Sequence, residues 1–229
     1  MIGVFGLKIC FATKSSLSAF WESRLSEVDT AKVLIFNAHG LGTVSYESEL
    51  SGETENFSDL AKLSKEIGSV VIAGCNTDTY GAFRRSVVIA DKGKLLGVSD
   101  EVFVTEGSEY VGGVNFVVYK TSVGKIGVIV GEDLYSFDAV KSMALGDADF
   151  IVCVFDEVSN FAPELVVRAE AFLCGVPIIL CANGFGMIAG CKGETEYSTG
   201  MDVSVADLDL TRVYGEVFYK KRGYINKPD

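Results

Sequence analysis

The chain has 229 residues, 48% of them hydrophobic and 22% charged, and its formal net charge is −11. This is an ordinary globular composition with enough residues for one large core. The scattered Lys and Arg residues exclude the clustered basic surface on which nucleic-acid binding depends. No apolar run reaches the roughly 20 residues that a bilayer-spanning helix needs.

The first third of the chain alternates between strand-like and helix-like patterns. The predicted elements are a strand over 2–11, a helix over 15–28, a strand over 32–36, a loop over 37–53, a helix over 57–67 and a strand over 69–75. Apolar side chains recur at helical spacing in both helices, whereas the strands are short continuous apolar runs, typical of strands covered on both faces. The first segment lacks a basic region and a clean cleavage site, so it predicts a core strand and not a signal peptide.

The remainder of the chain begins with hairpins and then alternates again. The predicted elements are a hairpin of 84–90 and 94–99 around Asp91-Lys92-Gly93, a hairpin of 114–121 and 125–131 around Ser122-Val123-Gly124, a helix over 137–146, a strand over 148–155, a helix over 161–174 and strands over 177–183 and 202–210. Mixed strand and helix order with central hairpins favours an α/β (α+β) layered sandwich. No repeat or Pro-rich linker divides the chain, so residues 1–229 are predicted to form one domain.

The six cysteines do not have the spacing of a metal or dithiol site. They occur at positions 10, 75, 153, 174, 181 and 191, and no two of them form a CxxC motif. Most lie in apolar strand-like runs, which favours buried reduced thiols in a cytoplasmic protein. Asp202, Asp207 and Asp209 do not share one face of a strand, so a solvated surface explains them better than a metal site. We therefore expect no metal and no cofactor.

Several stretches carry motifs that occur together, in this order along the chain. Residues 32–38 end a strand, 84–103 form a hairpin, and 125–154 read as strand, sharp bend, helix, Gly-x-Ala-Asp turn and strand. Residues 167–186 contain Arg168-Ala169-Glu170 on a predicted helix, Gly-Val-Pro and a strand ending in Asn-x-x-Gly, and a last strand with an Arg-containing tail follows from 202. This set resembles the nitrilase (carbon–nitrogen hydrolase) superfamily over most of the sequence. The resemblance implies a four-layer α-β-β-α sandwich that assembles into homodimers or larger homo-oligomers.

The same resemblance points to the three catalytic positions of the family. In active relatives a Cys thiolate attacks an amide or nitrile carbon, a Glu is the general base, and a Lys stabilises the tetrahedral intermediate. The corresponding positions here hold Gly131, Ala38 and Glu101, with Asp100 taking the third place if the alignment shifts by one residue. Glycine offers no nucleophile, alanine no base, and a carboxylate would repel a developing oxyanion unless it were protonated. The expected consequence is a protein without thiol-dependent hydrolysis of C–N bonds.

Other residues near these positions are candidates for a pocket. Cys153 and Cys181 end buried strands and could point inward, although a core role is the simpler interpretation, and Asn183 follows near the pocket side. His39 is the only histidine and stands next to the lost base position, where it could bind an anionic ligand, shuttle a proton, or lie in solvent. Glu132 and Asp133 could face the pocket or stabilise the start of a helix.

Three classes of function remain open at this point. The first is a catalytically inactive family member that binds a small molecule, with Glu101 and Glu132 favouring a cationic or amide-bearing ligand, or that serves as a partner subunit. The second is an active hydrolase that uses Cys153, Cys181, His39 or the carboxylates. The third is a purely structural subunit with a large apolar contact surface. The missing triad disfavours the second class.

Overall fold

The structure is a computed structural model that describes residues 6–28 and 30–210 in full, and the backbone alone at 219–221 and 224–226. The beginning of the strand predicted over 2–11 and most of the C-terminal tail lie outside the described residues.

A mixed sheet of seven strands forms one half of the molecule. Its strands are Leu7–Ala12 (β1), Val33–Phe36 (β2), Thr43–Ser45 (β3), Val70–Thr79 (β4), Ala82–Asp91 (β5), Lys94–Asp100 (β6) and Val203–Leu208 (β13). The order is β13-β1-β2-β4-β5-β6, and β3 pairs with the far end of β4. Strands β1, β2 and β4 are parallel, whereas β13, β5 and β6 add antiparallel edges.

A sheet of six strands forms the other half, with a similar plan. Its strands are Val117–Thr121 (β7), Gly124–Val130 (β8), Phe150–Val154 (β9), Ile178–Ala182 (β10), Phe185–Ala189 (β11) and Thr195–Thr199 (β12). The order is β12-β11-β10-β9-β8-β7, with β8, β9 and β10 parallel in the centre. A short antiparallel pair, Tyr219–Lys221 (β14) and Tyr224–Asn226 (β15), stands apart from both sheets.

Five α-helices cover the outer faces of the two sheets in the described part of the chain. They are Leu17–Ser23 (α1), Tyr46–Ser51 (α2), Asn56–Glu66 (α3), Phe137–Leu145 (α4) and Ala162–Cys174 (α5). None of these helices has the length and apolar character that crossing a bilayer requires.

The apolar side chains divide into three clusters that define the layers. The central cluster joins the facing sides of both sheets through residues such as Ile72 and Val152. A second cluster packs Leu60 and Leu63 of α3 against the outside of the first sheet, and a third packs Val167 of α5 against the outside of the second. Full burial of each such side chain contributes about 1.5–3 kcal/mol relative to exposure. The α-β-β-α sandwich expected from the family resemblance is thus confirmed.

Two segments differ from the sequence-based expectation. The segment predicted as a loop over 37–53 contains β3 and α2, and the Ser45 side chain accepts a hydrogen bond from the Ser48 backbone N–H at the start of that short helix. Strands β11 and β12 were also not predicted, because β11 is a run of five residues that includes Gly186 and β12 is mostly polar. Both strands are held by pairing with neighbours in the sheet, which local sequence does not reveal.

Candidate functional site

A cavity of about 250 Å³ opens where the parallel strands β2, β8 and β9 end. The carboxyl ends of parallel strands are where α/β sheets commonly bind ligands. Ala38 and His39 follow β2, Gly131 and Glu132 follow β8, and Asp156 follows β9 at the cavity wall. Both sheets therefore contribute to this cavity.

Gly131 stands at the sharp bend between β8 and the 3-10 turn Gly131–Tyr135. Its φ of +54° lies in the left-handed region, where a residue with a Cβ is strained. A Cβ built on Gly131 would overlap the Oε1 atom of Glu101. The space that a nucleophilic side chain would need at this bend is thus already filled by a carboxylate.

Glu101 is held at the base of this bend by two strong partners. Its side chain is 1% exposed, Oε1 accepts a hydrogen bond of 2.8 Å from the Glu132 backbone N–H, and Oε2 lies 3.0 Å from Arg85 Nη1. Its backbone N–H donates to the Arg85 carbonyl at 2.8 Å, which continues the pairing of β5 with β6. The buried charge is therefore paired and hydrogen-bonded, as burial of an ion requires.

Asp100, the alternative to Glu101 in the sequence alignment, faces the other side of its sheet. It pairs directly with Ser86, and the Ser86 hydroxyl donates to Asp100 Oδ1 at 2.6 Å. Alternation along the strand directs Glu101 toward the second sheet instead. Of these two acidic residues, Glu101 is the one that contacts the bend at Gly131.

Asp133 lies in the same turn as Gly131 but points away from the cavity. Its two carboxylate oxygens accept hydrogen bonds of 2.8 Å from the backbone N–H groups of Val102 and Phe103. Burial raises the pKa of Asp133 to about 6, and the nearby charge of Glu101 adds to the shift, while the two hydrogen bonds oppose it. Asp133 therefore fastens the turn to the segment that carries Glu101.

Arg85 supplies the cation of the cavity wall. It is directed from β5 toward the second sheet, and its guanidinium carbon lies 4.6 Å from the centre of the Tyr110 ring. This cation–π contact and the pair with Glu101 fix the side chain between the buried base of the site and the open cavity. Neither Arg85 nor Tyr110 was among the site residues expected from the sequence.

Ala38 lies on a loop that passes unusually close to β4. A Cβ on Gly74 would overlap the Ala38 backbone, and the Gly74 N–H donates to the Asn37 carbonyl at 3.1 Å. Asn37 is itself fixed, because its side chain donates to the Thr13 carbonyl and accepts from the His39 N–H. The glycine therefore permits the close approach that sets Ala38 in the cavity wall.

His39 and Asp156 meet across the cavity mouth. The His39 Nε2 and Asp156 Oδ1 atoms are 2.8 Å apart, and both side chains are more than half exposed. His39 comes from the first sheet and Asp156 from the second, so the contact joins the two halves at the rim. Glu132 and Glu157 add two more carboxylates to the cavity lining.

The cysteines within the described residues do not supply a reactive thiol to the cavity. Cys153 and Cys181 are fully buried and do not line it. Burial raises the pKa of both thiols, with a contribution from Glu170 at Cys153. Cys75 does border the cavity, but its side chain belongs to the apolar cluster on the helix side of β4. Burial, together with Asp100, raises the pKa of Cys75 to about 12.

Asn183 does not line the cavity either. It occupies the turn between β10 and β11 with an exposed side chain, and its backbone N–H donates to the Asp156 carbonyl at 2.9 Å. Asn183 therefore stabilises the loop that carries Asp156 without lining the cavity itself. Within the described residues there is no group of three or more His, Cys, Asp or Glu side chains arranged to hold a metal ion.

Comparison with known proteins gives a consistent family signature. Residues 34–215 match the sequence profile described as carbon-nitrogen hydrolase. A protein of Schizosaccharomyces pombe named as a probable nitrilase is 26% identical over an alignment of 152 residues, which covers 63% of this chain and 56% of that protein. The match therefore spans little more than half of the curated relative.

Solved structures share the fold at low sequence identity. An amidase from Nesterenkonia sp. superposes with a TM-score of 0.75 at 16% identity, over 91% of this chain and 92% of that one. Nit3 of Saccharomyces cerevisiae, a member of branch 10 of the nitrilase superfamily, superposes with a TM-score of 0.75 at 15% identity, over 89% of this chain and 90% of that one. A variant of the Nesterenkonia amidase in complex with butyramide superposes with a TM-score of 0.74 at 14% identity, over 90% of this chain and 92% of that one.

Proposed function

Because this chain belongs to the carbon–nitrogen hydrolase family, we propose that it is a member without thiol-dependent hydrolytic activity that retains the family's cavity for binding a small molecule. The observation that carries this proposal is the contact between Gly131 and Glu101. Gly131 offers no nucleophile, and the Glu101 carboxylate fills the space that a side chain at position 131 would need.

The chemistry of acyl transfer explains why this contact opposes catalysis. A thiolate must attack the carbon, and preorganised donors must meet the negative charge that develops on the substrate oxygen or nitrogen. The backbone N–H that follows the nucleophile position is a donor of this kind in other hydrolases with a sharp strand-to-helix turn. Here that donor, the N–H of Glu132, is already bound to Glu101 Oε1. Any reaction at this point would bring two negative charges together.

A replacement thiol is not available near the bend in the described residues. Cys75 borders the cavity, but burial and the nearby Asp100 raise its pKa to about 12, so the thiol stays protonated and unreactive at neutral pH. Ala38 offers no base beside it. The pair of His39 and Asp156 lies at the exposed rim, where bulk water competes for protons.

The charges around the cavity support a preference for cationic or amide-bearing ligands. The positive charge of Arg85 is paired with Glu101, whereas Glu132, Asp156 and Glu157 leave an excess of carboxylate at the wall. Their oxygens can accept hydrogen bonds from an ammonium or an amide N–H. The butyramide complex of the Nesterenkonia amidase variant makes short amides sensible members of a screen.

Two assays on the wild-type protein test this proposal. The first measures ammonia release from a panel of short amides and nitriles, and we expect no release above a no-enzyme blank. The second measures heat of binding for matched small molecules: propylamine, propionamide and propionate. We expect the amine or the amide to bind more tightly than the carboxylate. Release of ammonia that a thiol alkylator abolishes would contradict the inactivity, and tighter binding of propionate would contradict the ligand preference.

A role in assembly is the second candidate. Family resemblance implies a homodimer or larger homo-oligomer, and α5 carries exposed apolar side chains at Leu165 and Leu173. Light scattering during size-exclusion chromatography measures the molar mass directly. A monomer at micromolar concentration would remove this candidate, whereas an oligomer that binds none of the tested molecules would favour it over ligand binding.

A further inference from the structure

The surroundings of the Glu101 carboxylate are those of a bound anion. One oxygen accepts the Glu132 backbone N–H at 2.8 Å and the other meets Arg85 Nη1 at 3.0 Å. The side chain is 1% exposed, and Gly131 makes room for Oε1 by lacking a Cβ. Backbone N–H groups at the start of a helical turn, combined with a guanidinium, are common partners of carboxylates.

We propose that Glu101 is a tethered occupant of a small-carboxylate subsite formed by Arg85, the Glu132 N–H and the hollow over Gly131. Removing its side chain opens this subsite to a free carboxylate such as acetate or formate. The inference goes beyond the proposed function, because it assigns a ligand class to a part of the cavity that the wild-type protein keeps filled.

Each donor around this subsite has a support besides Glu101. The turn that carries the Glu132 N–H is fixed by Asp133, which accepts from Val102 and Phe103. Arg85 remains supported by the Tyr110 ring. We therefore expect the Glu132 N–H and the Arg85 guanidinium to stay near their positions when the Glu101 side chain is removed.

The size of the vacated space also matches the ligand. Glu101→Ala removes Cγ, Cδ and both carboxylate oxygens, the same set of non-hydrogen atoms that make up acetate. A free ligand must give up translational freedom that a tethered side chain never had, so its binding will be weak. Concentrations on the order of 10–100 mM are therefore appropriate for the test.

Thermal denaturation of the full-length Glu101→Ala variant tests the inference. The variant is heated in sodium acetate, sodium formate or sodium chloride at equal ionic strength and pH. Because ligand binding to the folded state stabilises it, we expect the Tm of the variant to rise by about 2–5 °C in acetate or formate relative to chloride. The wild-type Tm should change by less than about 1 °C, because Glu101 already fills the subsite. Equal Tm values of the variant in acetate and chloride would overturn the proposal.

Two control variants separate the subsite from a general salt effect. Asp100→Ala removes the neighbouring carboxylate, which faces the opposite side of the sheet, and should respond equally to acetate and chloride. Arg85→Ala combined with Glu101→Ala should lose most of the acetate response. If the double variant responds as fully as Glu101→Ala, the anion lies elsewhere and the proposal is wrong.

The test remains decisive if Glu101→Ala does not fold in chloride. The fraction of soluble protein recovered on refolding is then compared in acetate and chloride, and a several-fold higher recovery in acetate is expected. Equal recovery contradicts the proposal. Neither assay measures hydrolysis, so a failed acetate response beside an inactive wild-type protein would reject the subsite alone.

Discussion

Glu101 and Asp133 each accept backbone N–H groups from the segment that carries the other. Glu101 binds the N–H of Glu132, next to Asp133, and Asp133 binds the N–H groups of Val102 and Phe103, next to Glu101. Both carboxylates are 1% exposed. This reciprocal arrangement joins the end of β6 to the turn after β8, and it determines how the site will respond to substitution.

Introducing a thiol at the bend should not create a hydrolase. Gly131→Cys places a Cβ in the left-handed region and against Glu101 Oε1, so we expect a loss of about 2–4 kcal/mol in the free energy of unfolding and no ammonia release from amides. Urea denaturation measures the first and an ammonia assay the second.

Gly68→Cys is the matched control for this prediction. Gly68 has a φ of +65°, and a Cβ there meets nothing within 4 Å. Gly68→Cys should lower the free energy of unfolding by about 1 kcal/mol, which is the cost of the left-handed backbone alone. Equal losses in the free energy of unfolding for the two substitutions would mean that the overlap with Glu101 does not destabilise the protein.

Removing Arg85 should destabilise the protein more than removing its neighbour. Arg85→Ala leaves the buried Glu101 carboxylate without its cation, and we expect a loss of about 2–4 kcal/mol. Arg84→Ala breaks only a longer contact of 3.8 Å with the partly exposed Asp100 and should cost less than about 1 kcal/mol. Denaturant titration of both variants measures the two losses in the free energy of unfolding. Similar losses would show that the charge of Glu101 is compensated by other groups.

Glu170 should make the protein less stable as the pH rises. This carboxyl on α5 is 5% exposed, its Oε2 has no hydrogen-bond partner in the described structure, and burial raises its pKa from 4.5 to about 8. Between these two values the folded state holds a proton that the unfolded state releases, so the free energy of unfolding falls with rising pH.

The substitution Glu170→Gln removes this titration. Each pKa unit corresponds to about 1.4 kcal/mol, so the variant should gain up to a few kcal/mol on wild type between pH 5 and pH 8. Urea denaturation at both pH values measures the change, with Glu164→Gln, in the first turn of the same helix, as the control. A parallel pH dependence of wild type and Glu170→Gln would contradict the prediction.

The contact at the cavity mouth should matter for ligands more than for folding. His39 and Asp156 are 58% and 63% exposed, so Asp156→Asn should change the free energy of unfolding by less than about 1 kcal/mol. The same substitution should weaken binding of a small amine several-fold, because it removes a carboxylate from the wall. Calorimetric titration with propylamine measures this. Unchanged affinity would place the amine away from the rim.

The fold was largely predictable because its central strands are continuous apolar runs at positions such as 32–36 and 148–155. The family resemblance pointed to Ala38 and Gly131, and both positions line the cavity. Strand β12 was missed because its residues are mostly polar and it is held by pairing with β11, which local sequence does not reveal.

The partner of Arg85 illustrates what local sequence withholds. If the pairing of β5 with β6 continued without irregularity from Asp91 and Lys94 at the turn, Arg85 would lie opposite Asp100. The register shifts by one residue between Ile89 and Ala90, so Ser86 pairs with Asp100 and Arg85 comes to Glu101. A single β-bulge therefore selects which of two adjacent carboxylates reaches the site. Tyr110 was equally hidden, because it lies in the long connection after β6.

The mutual fit of Gly131 and Glu101 also bears on how such a site could change over generations. A cysteine arriving first at position 131 meets the Glu101 carboxylate, and a lysine arriving first at position 101 stands beside Arg85 with no anion between them. Each single replacement is unfavourable while the other residue is unchanged. The pair of residues thus makes any stepwise change toward a thiol-bearing centre costly at its first step.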